Sequence, residues 1–227
     1  MLSPEDHDRV RAAIAAAEAT TDGELFCVVA HESAAYREVP LAWGAGVALL
    51  GPPIALLFGV RPGLILAALE GGWIVGHATA LEAAMTRAVI GYAIVQAILF
   101  ALALTLVAVP PVRRLLTPGF LKRSHVHASA LEQFAHRRHA SGAPASVLIY
   151  ASTAERRVEI VADEAIHQKT GDRVWNEAVK AALTKIRAGD AAGGLIAAID
   201  RCGAALAEHF PASGPPRPEP ADDLKEV

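Results

Sequence analysis

Three sets of side chains in this sequence have the types and spacing for chemistry. Asp22, Asp163, Glu164 and His167 form the first. His167 stands one helical turn beyond Asp163, and clustered carboxylates with backbone oxygens suit a hard divalent cation such as calcium. A structural reading stands beside it, with Asp22 as a turn residue and Asp163 as a helix N-cap. The second set lies in RSHVHASALEQFAHRRH, where Glu132, His136 and His139 fall at i, i+4 and i+7 on one helical face. That spacing fits a metal triad or a plain exposed polar face. The third set pairs His31-Glu32-Ser33 with Glu155-Arg156-Arg157. There Arg156 and Arg157 could touch phosphate headgroups or serve as ordinary solvated charges. There is no zinc-finger spacing, Walker loop, GxGxxG or GxSxG. A net charge of −3 offers no electrostatic case for nucleic acid as a partner.

These residues need a scaffold, and the chain predicts a split one. Ser3-Pro4-Glu5-Asp6 reads as a helix start. Glu24–Ala30, ELFCVVA, is apolar on both faces, as a strand inside a layered α/β domain must be. From about Pro40 to Val109 the chain turns strongly apolar. Leu41–Val60 carries no charge and is long enough to cross a bilayer, with Pro52-Pro53 expected to kink it. Ala88–Val109 is a cleaner span. Leu64–Ala84 is ambiguous, because Glu70, His77 and Glu82 interrupt it. Globular patterning then resumes. It includes a helix expected to be capped by Ser124 and striped by Ala128, Leu131, Phe134 and Ala135, and a two-faced strand at Ala145–Ala151. An edge-like strand at Arg156–Ala162 follows, with a short helix after Asp163, a helix capped by Asp172, and a last helix over Ala191–Phe210. The proline-rich stretch after Pro211 reads as a disordered tail over 212–227. Cys27 and Cys202 sit in no CxxC and read as small buried residues.

A lone strand before the apolar region cannot be stable, and its partners come after that region. The two halves can pair only on one side of a membrane, so an even number of crossings must separate them. Two spans satisfy this. Arg37, Arg113, Arg114, Lys122 and Arg123 flank the apolar region outside, against Arg61 and Arg87 between the spans. The positive-inside rule then puts the globular domain on the cytoplasmic face of the inner membrane. The predicted fold class is therefore α/β: a mixed sheet of three to four strands with helices on both faces, interrupted by a transmembrane helical hairpin. Residues 1–36 and 117–211 form the domain, and residues 40–110 form the insertion.

The post-insertion runs SALEQFAHRR, ASVLIYAS, AERRVEIVADEAI, Trp175 and IRAGDAAGGLIAAIDRCGAALAEHFP, together with AIAAAEATTDGELFCVV before it, resemble the TPM domain family. The resemblance covers roughly 1–36 and 120–211. It implies a mixed sheet covered by helices on both faces. It implies binding of calcium or similar ions in some members, weak acid phosphatase activity in a plastid branch, and an accessory role toward membrane receptors in another. Ala165 stands where the family commonly has glycine, and RPEPADDLKEV replaces its acidic-asparagine tail.

The resulting expectation is a membrane-anchored TPM-type domain acting as an accessory or assembly factor for membrane proteins, with the bilayer and a membrane protein as partners. A divalent cation would sit at Asp22, Asp163, Glu164 and His167. The alternative is a weak metal-dependent acid phosphatase using Asp163 and Glu164. No conventional nucleophile–base pair is evident, so no catalytic residue is assigned. Transport through the hairpin, by way of Glu70 and His77, would need oligomers.

Overall fold

The computed structural model describes residues 2–59, 80–141, 143–214 and 224–226. The chain divides into two compact units, Met1–Ala35 with Gly119–Val227, and Tyr36–Pro118.

The first unit is a four-stranded mixed sheet between helices. Helix α1 (Pro4–Glu18) starts as its sequence dictates. Ser3 Oγ accepts the Asp6 N–H at 3.1 Å while the Asp6 carboxylate reaches back to Ser3, the reciprocal cap that satisfies two orphan donors. Strand β1 (Glu24–Ala30) lies parallel to β2 (Ser146–Ser152), in the register Glu24↔Ser146 to Ala30↔Ser152. Strand β3 (Arg157–Ala162) returns antiparallel to β2 at one edge. The other edge is β4 (Leu224–Glu226), parallel to β1.

Both faces of β1 and β2 are buried, and the alternation of side chains assigns each face its cover. Leu25, Cys27, Val29, Val147 and Ile149 join Val10 and Ile14 of α1 and the helices α6 (Glu164–Thr170), α7 (Asp172–Arg187) and α8 (Ala191–His209) in the main core. Phe26, Val28, Leu148 and Tyr150 pack on α5 (Gly119–Ser141) in a smaller one.

Several sequence expectations shift here. Helix α5 begins at Gly119, so Ser124 is internal to it and caps nothing. Its buried stripe is Val126, Ala130 and Phe134, and Leu131 is 45% exposed. Of the predicted stripe only Phe134 packs on this cluster, and Arg137 completes the contact over the Phe26 ring. Helix α7 starts on Asp172 itself, after Gly171 turns the chain at φ +67°. The expectation of a disordered tail fails at Leu224–Glu226, where Leu224 drops into the main core and the backbone extends the sheet.

Cys27 and Cys202 are free and buried as predicted. Burial pushes both thiols up to about 12, with Cys27 adding to the rise at Cys202. Thiolate is the reactive form. Native protein should therefore resist iodoacetamide at neutral pH, and denatured protein should take up label at both positions, as mass spectrometry of intact chains would show.

The second unit holds α2 (Glu38–Leu57), α3 (Ala80–Ala108) and the short α4 (Pro110–Leu116). Helix α2 runs on through Pro52-Pro53. The Phe100 ring packs on Gly44, where a Cβ would lie 3.1 Å from it. Pro110 opens α4 at the position where its missing N–H costs nothing, and Trp43 Nε1 donates to the Leu116 carbonyl at 3.3 Å. Glu38–Leu57 and Ala88–Ala108 are long and apolar enough to cross a membrane, with mean hydropathies of 1.6 and 2.3. Residues 64–79 of the ambiguous segment lie outside the described residues, and residues 80–84 begin α3.

Candidate functional site

The parallel β1–β2 pair gives the sheet two chemically distinct rims. Asp22, Ser146 and Asp163 share the rim where β1 and β2 begin and β3 ends. Their side chains do not converge there. Asp22 accepts both the backbone N–H and the hydroxyl of Ser213, which ties the β1 entry to the segment after α8. Glu164 accepts from Gln168 Nε2 at 2.7 Å, one turn along α6. His167 Nε2 lies 3.4 Å from Asp172 Oδ1.

Asp163 has a third occupation. It sits at the N-cap position of α6, yet its carboxylate caps nothing. Oδ1 instead takes Arg138 Nε from α5 at 2.6 Å, and Oδ2 takes the buried Ser146 N–H at 2.9 Å. Burial holds its carboxyl above the ordinary carboxylate range, opposed by the Arg138 charge and the two hydrogen bonds. One carboxylate thus joins α5, the start of β2 and the start of α6.

Among the described residues, no three His, Cys, Asp or Glu side chains are placed to share one ion. The sequence set Asp22, Asp163, Glu164 and His167 therefore resolves into four separate attachments. Each group meets a different partner: Ser213 at Asp22, Arg138 and Ser146 at Asp163, Gln168 at Glu164 and Asp172 at His167. Glu132 and His136 are exposed on α5, and the side chain of His139 lies outside the described residues.

At the opposite rim, where β1 and β2 end, open α/β sheets usually hold ligands. Here Ser33 is the hub. Its N–H donates to Glu155 Oε1 at 3.2 Å, its carbonyl accepts from Ser129 Oγ of α5 at 3.1 Å, and its hydroxyl accepts from Tyr150 at 3.3 Å. Thr153 N–H donates to the Ala30 carbonyl at 3.0 Å. On the exposed side of α5, His127 Nδ1 lies 2.9 Å from Glu159 of β3. Thr153 Oγ1 lies 3.5 Å from His31 Nδ1. Among the described residues Ser33 bonds no imidazole, and its web fastens the exit of β1 to the β2–β3 turn.

Arg156 and Arg157 stand on this rim. Arg157 Nη2 reaches the Gly119 carbonyl at 3.4 Å. Arg156 holds a left-handed backbone, φ +50°. That region costs a residue with a Cβ about 1–2 kcal/mol, and glycine would fill it freely. Sequence reasoning missed Arg138, Ser129 and Tyr150. The runs HRRH and SALEQF show which residues are polar, but no local pattern says which of them faces a strand.

Comparison with known proteins adds fold information. The model of a family described as a domain of unknown function, DUF5130, matches residues 124–202, from within α5 through β2, β3, α6 and α7 into α8. No match is found among curated proteins. In solved structures, the chain is similar to the NMR structure of BA42 protein from the psychrophilic bacterium Bizionia argentinensis. The TM-score is 0.52 at 15% identity, over 100% of this chain and 96% of that one. At that identity the likeness concerns the fold alone.

Proposed function

We propose that this chain is a membrane-anchored TPM-type α/β domain that serves as an accessory or assembly factor for membrane proteins on the cytoplasmic face of the inner membrane. The observation that carries the reading is the outward face of the inserted helices. Leu49, Leu57, Val89 and Leu102 are 61–86% exposed, on helices of spanning length inserted between β1 and α5. Apolar patches of that extent on a water-soluble surface mark a membrane or a partner. Hydrocarbon satisfies such side chains, and α2 and α3 would enter it as a hairpin returning the chain to the same side. The arginines flanking the hairpin then favour the cytoplasm. The phosphatase alternative lacks an observation of this kind, since Asp163 and Glu164 are engaged elsewhere.

Two measurements test this. Membranes carrying the full chain should retain it through an alkaline carbonate wash, and Leu102→Arg should weaken retention, because an arginine at mid-span costs about 3 kcal/mol. Release of the unmodified chain by carbonate would sink the anchor. Purification in mild detergents should then co-isolate a defined membrane protein, and repeated recovery of the chain alone would sink the accessory role.

Arg156 and Arg157 would meet phosphate headgroups in this arrangement. Arg156→Gly should leave stability unchanged or raise it by up to about 1 kcal/mol, while lowering the enrichment of anionic lipid around the protein reconstituted in vesicles of mixed composition, compared with the unmodified protein. Unchanged enrichment would remove Arg156 from the contact.

A further inference from the structure

The edge of β1 beside α1 is built as a slot for three residues. Glu24 N–H donates to the Ala145 carbonyl, so the alternate N–H groups at Leu25, Cys27 and Val29 face the other edge. Glu18, at the end of α1, closes that edge at Leu25, whose N–H it accepts at 2.8 Å. Beyond it, Leu224, Lys225 and Glu226 pair with Cys27, Val28 and Val29. Leu224 is 5% exposed and lies in the main core beside β1. Glu226 Oε1 takes the Leu2 N–H at 2.8 Å and lies 3.3 Å from His7 Nε2. The slot therefore reads a leucine, any residue, then a carboxylate. It has an apolar socket, a strand edge, and at the far end the Leu2 N–H beside the His7 ring.

The segment filling this slot is short and tethered through residues 215–223, four of which are prolines. Three residues bury one large side chain, so their hold is weak compared with that of a full strand. Strand addition to an exposed edge is a standard way of binding extended peptides, with backbone bonds giving affinity and alternate pockets giving specificity. We infer that the α1–β1 edge is a peptide-docking site for an extended partner segment with a leucine and a glutamate two residues apart, and that Leu224–Glu226 occupies it in cis as a displaceable plug. The tethered plug competes at an effective concentration in the millimolar range, which sets the affinity a partner must exceed. The slot lies wholly within the α/β unit, so it stands or falls independently of whether α2 and α3 enter a bilayer.

The test uses the full chain and a fluorescein-labelled peptide of sequence ADDLKEV, with ADDSKAV as control, read by fluorescence anisotropy. A Leu224→Ser/Glu226→Ala chain, with its plug weakened, should bind ADDLKEV at least tenfold more tightly than the unmodified chain. It should bind the control no better than the unmodified chain does. Amide exchange at Cys27 and Val29 should speed up in the variant and slow again with peptide. A variant with an unchanged circular dichroism spectrum that binds neither peptide, or both equally, would overturn the inference. Should the double variant lose its spectrum, Glu226→Gln keeps the leucine and should still bind ADDLKEV about threefold more tightly than the unmodified chain. Unaltered binding there would overturn it too.

Discussion

Asp163→Ala is expected to destabilise the α/β unit by about 2–4 kcal/mol, which for a domain of this size means a melting temperature lower by about 5–15 °C. Ser146 is fully buried, and its N–H donates to Asp163 Oδ2. Leaving that donor unpaired costs about 1–3 kcal/mol. Arg138 also loses its partner, but its side chain is 39% exposed and water recovers much of that loss. Asp163→Asn keeps an acceptor for Ser146 and should cost less than the alanine change. Calcium, magnesium or manganese should shift neither variant relative to the unmodified protein, because the effect belongs to the attachment of α5 to β2. An ion-specific rise in melting temperature that disappears in Asp163→Asn would restore the cation reading and sink this one.

The same group has a pH signature. Its folded-state pKa lies above the unfolded value, chiefly because it is buried. The native state then holds the proton more tightly. Its contribution is fully present below the unfolded pKa and lost as pH rises through the folded one. Urea midpoints of the unmodified protein, compared with Asp163→Asn, should move in favour of the unmodified protein on acidification from about pH 7 to about pH 4. A difference that moves the opposite way would mean that the Arg138 charge outweighs burial.

Gly194→Val should be about as damaging, at roughly 3 kcal/mol. Helices α7 and α8 approach so closely here that a Cβ on Gly194 would lie 2.8 Å from the Ala182 carbonyl oxygen and 2.6 Å from Ile186 Cγ1. A flexible side chain can yield, but a helix carbonyl cannot without moving its helix. The expected response is a lower urea midpoint with an unchanged slope. Gly119→Ala is the control. Its Cβ would meet nothing within 4 Å, so the gain in helix propensity should leave stability equal or higher. If Gly194→Val unfolds at the same midpoint as the unmodified protein, the close α7–α8 approach is not a determinant of stability.

Much of this architecture is legible locally. The two-sided apolar runs Glu24–Ala30 and Ala145–Ala151 could only be interior strands, and they are the central pair. The Ser3-Pro4 start and the two long apolar helices depend on neighbours a few residues away. Period and capping are short-range physics, so a sequence displays them directly. Even the split of the domain follows, since an isolated first strand demands partners further along.

The attachments that define the rims are a different matter. Asp163 offers the same carboxylate to a helix cap, a cation or an arginine, and only the docking of α5, 25 residues earlier, makes Arg138 the nearest. Leu224 looks like one apolar residue in a polar, proline-rich tail, and becomes core only because the β1 edge is open beside α1. The Glu226 contact with Leu2 spans 224 residues. The sequence by itself determined the strands β1 to β3, the long helices and the apolar spans, because backbone geometry and hydrophobic period are set within a turn or two. Tertiary structure alone decided what each carboxylate binds and where the sheet ends, because those outcomes depend on which distant groups the fold brings within hydrogen-bond reach.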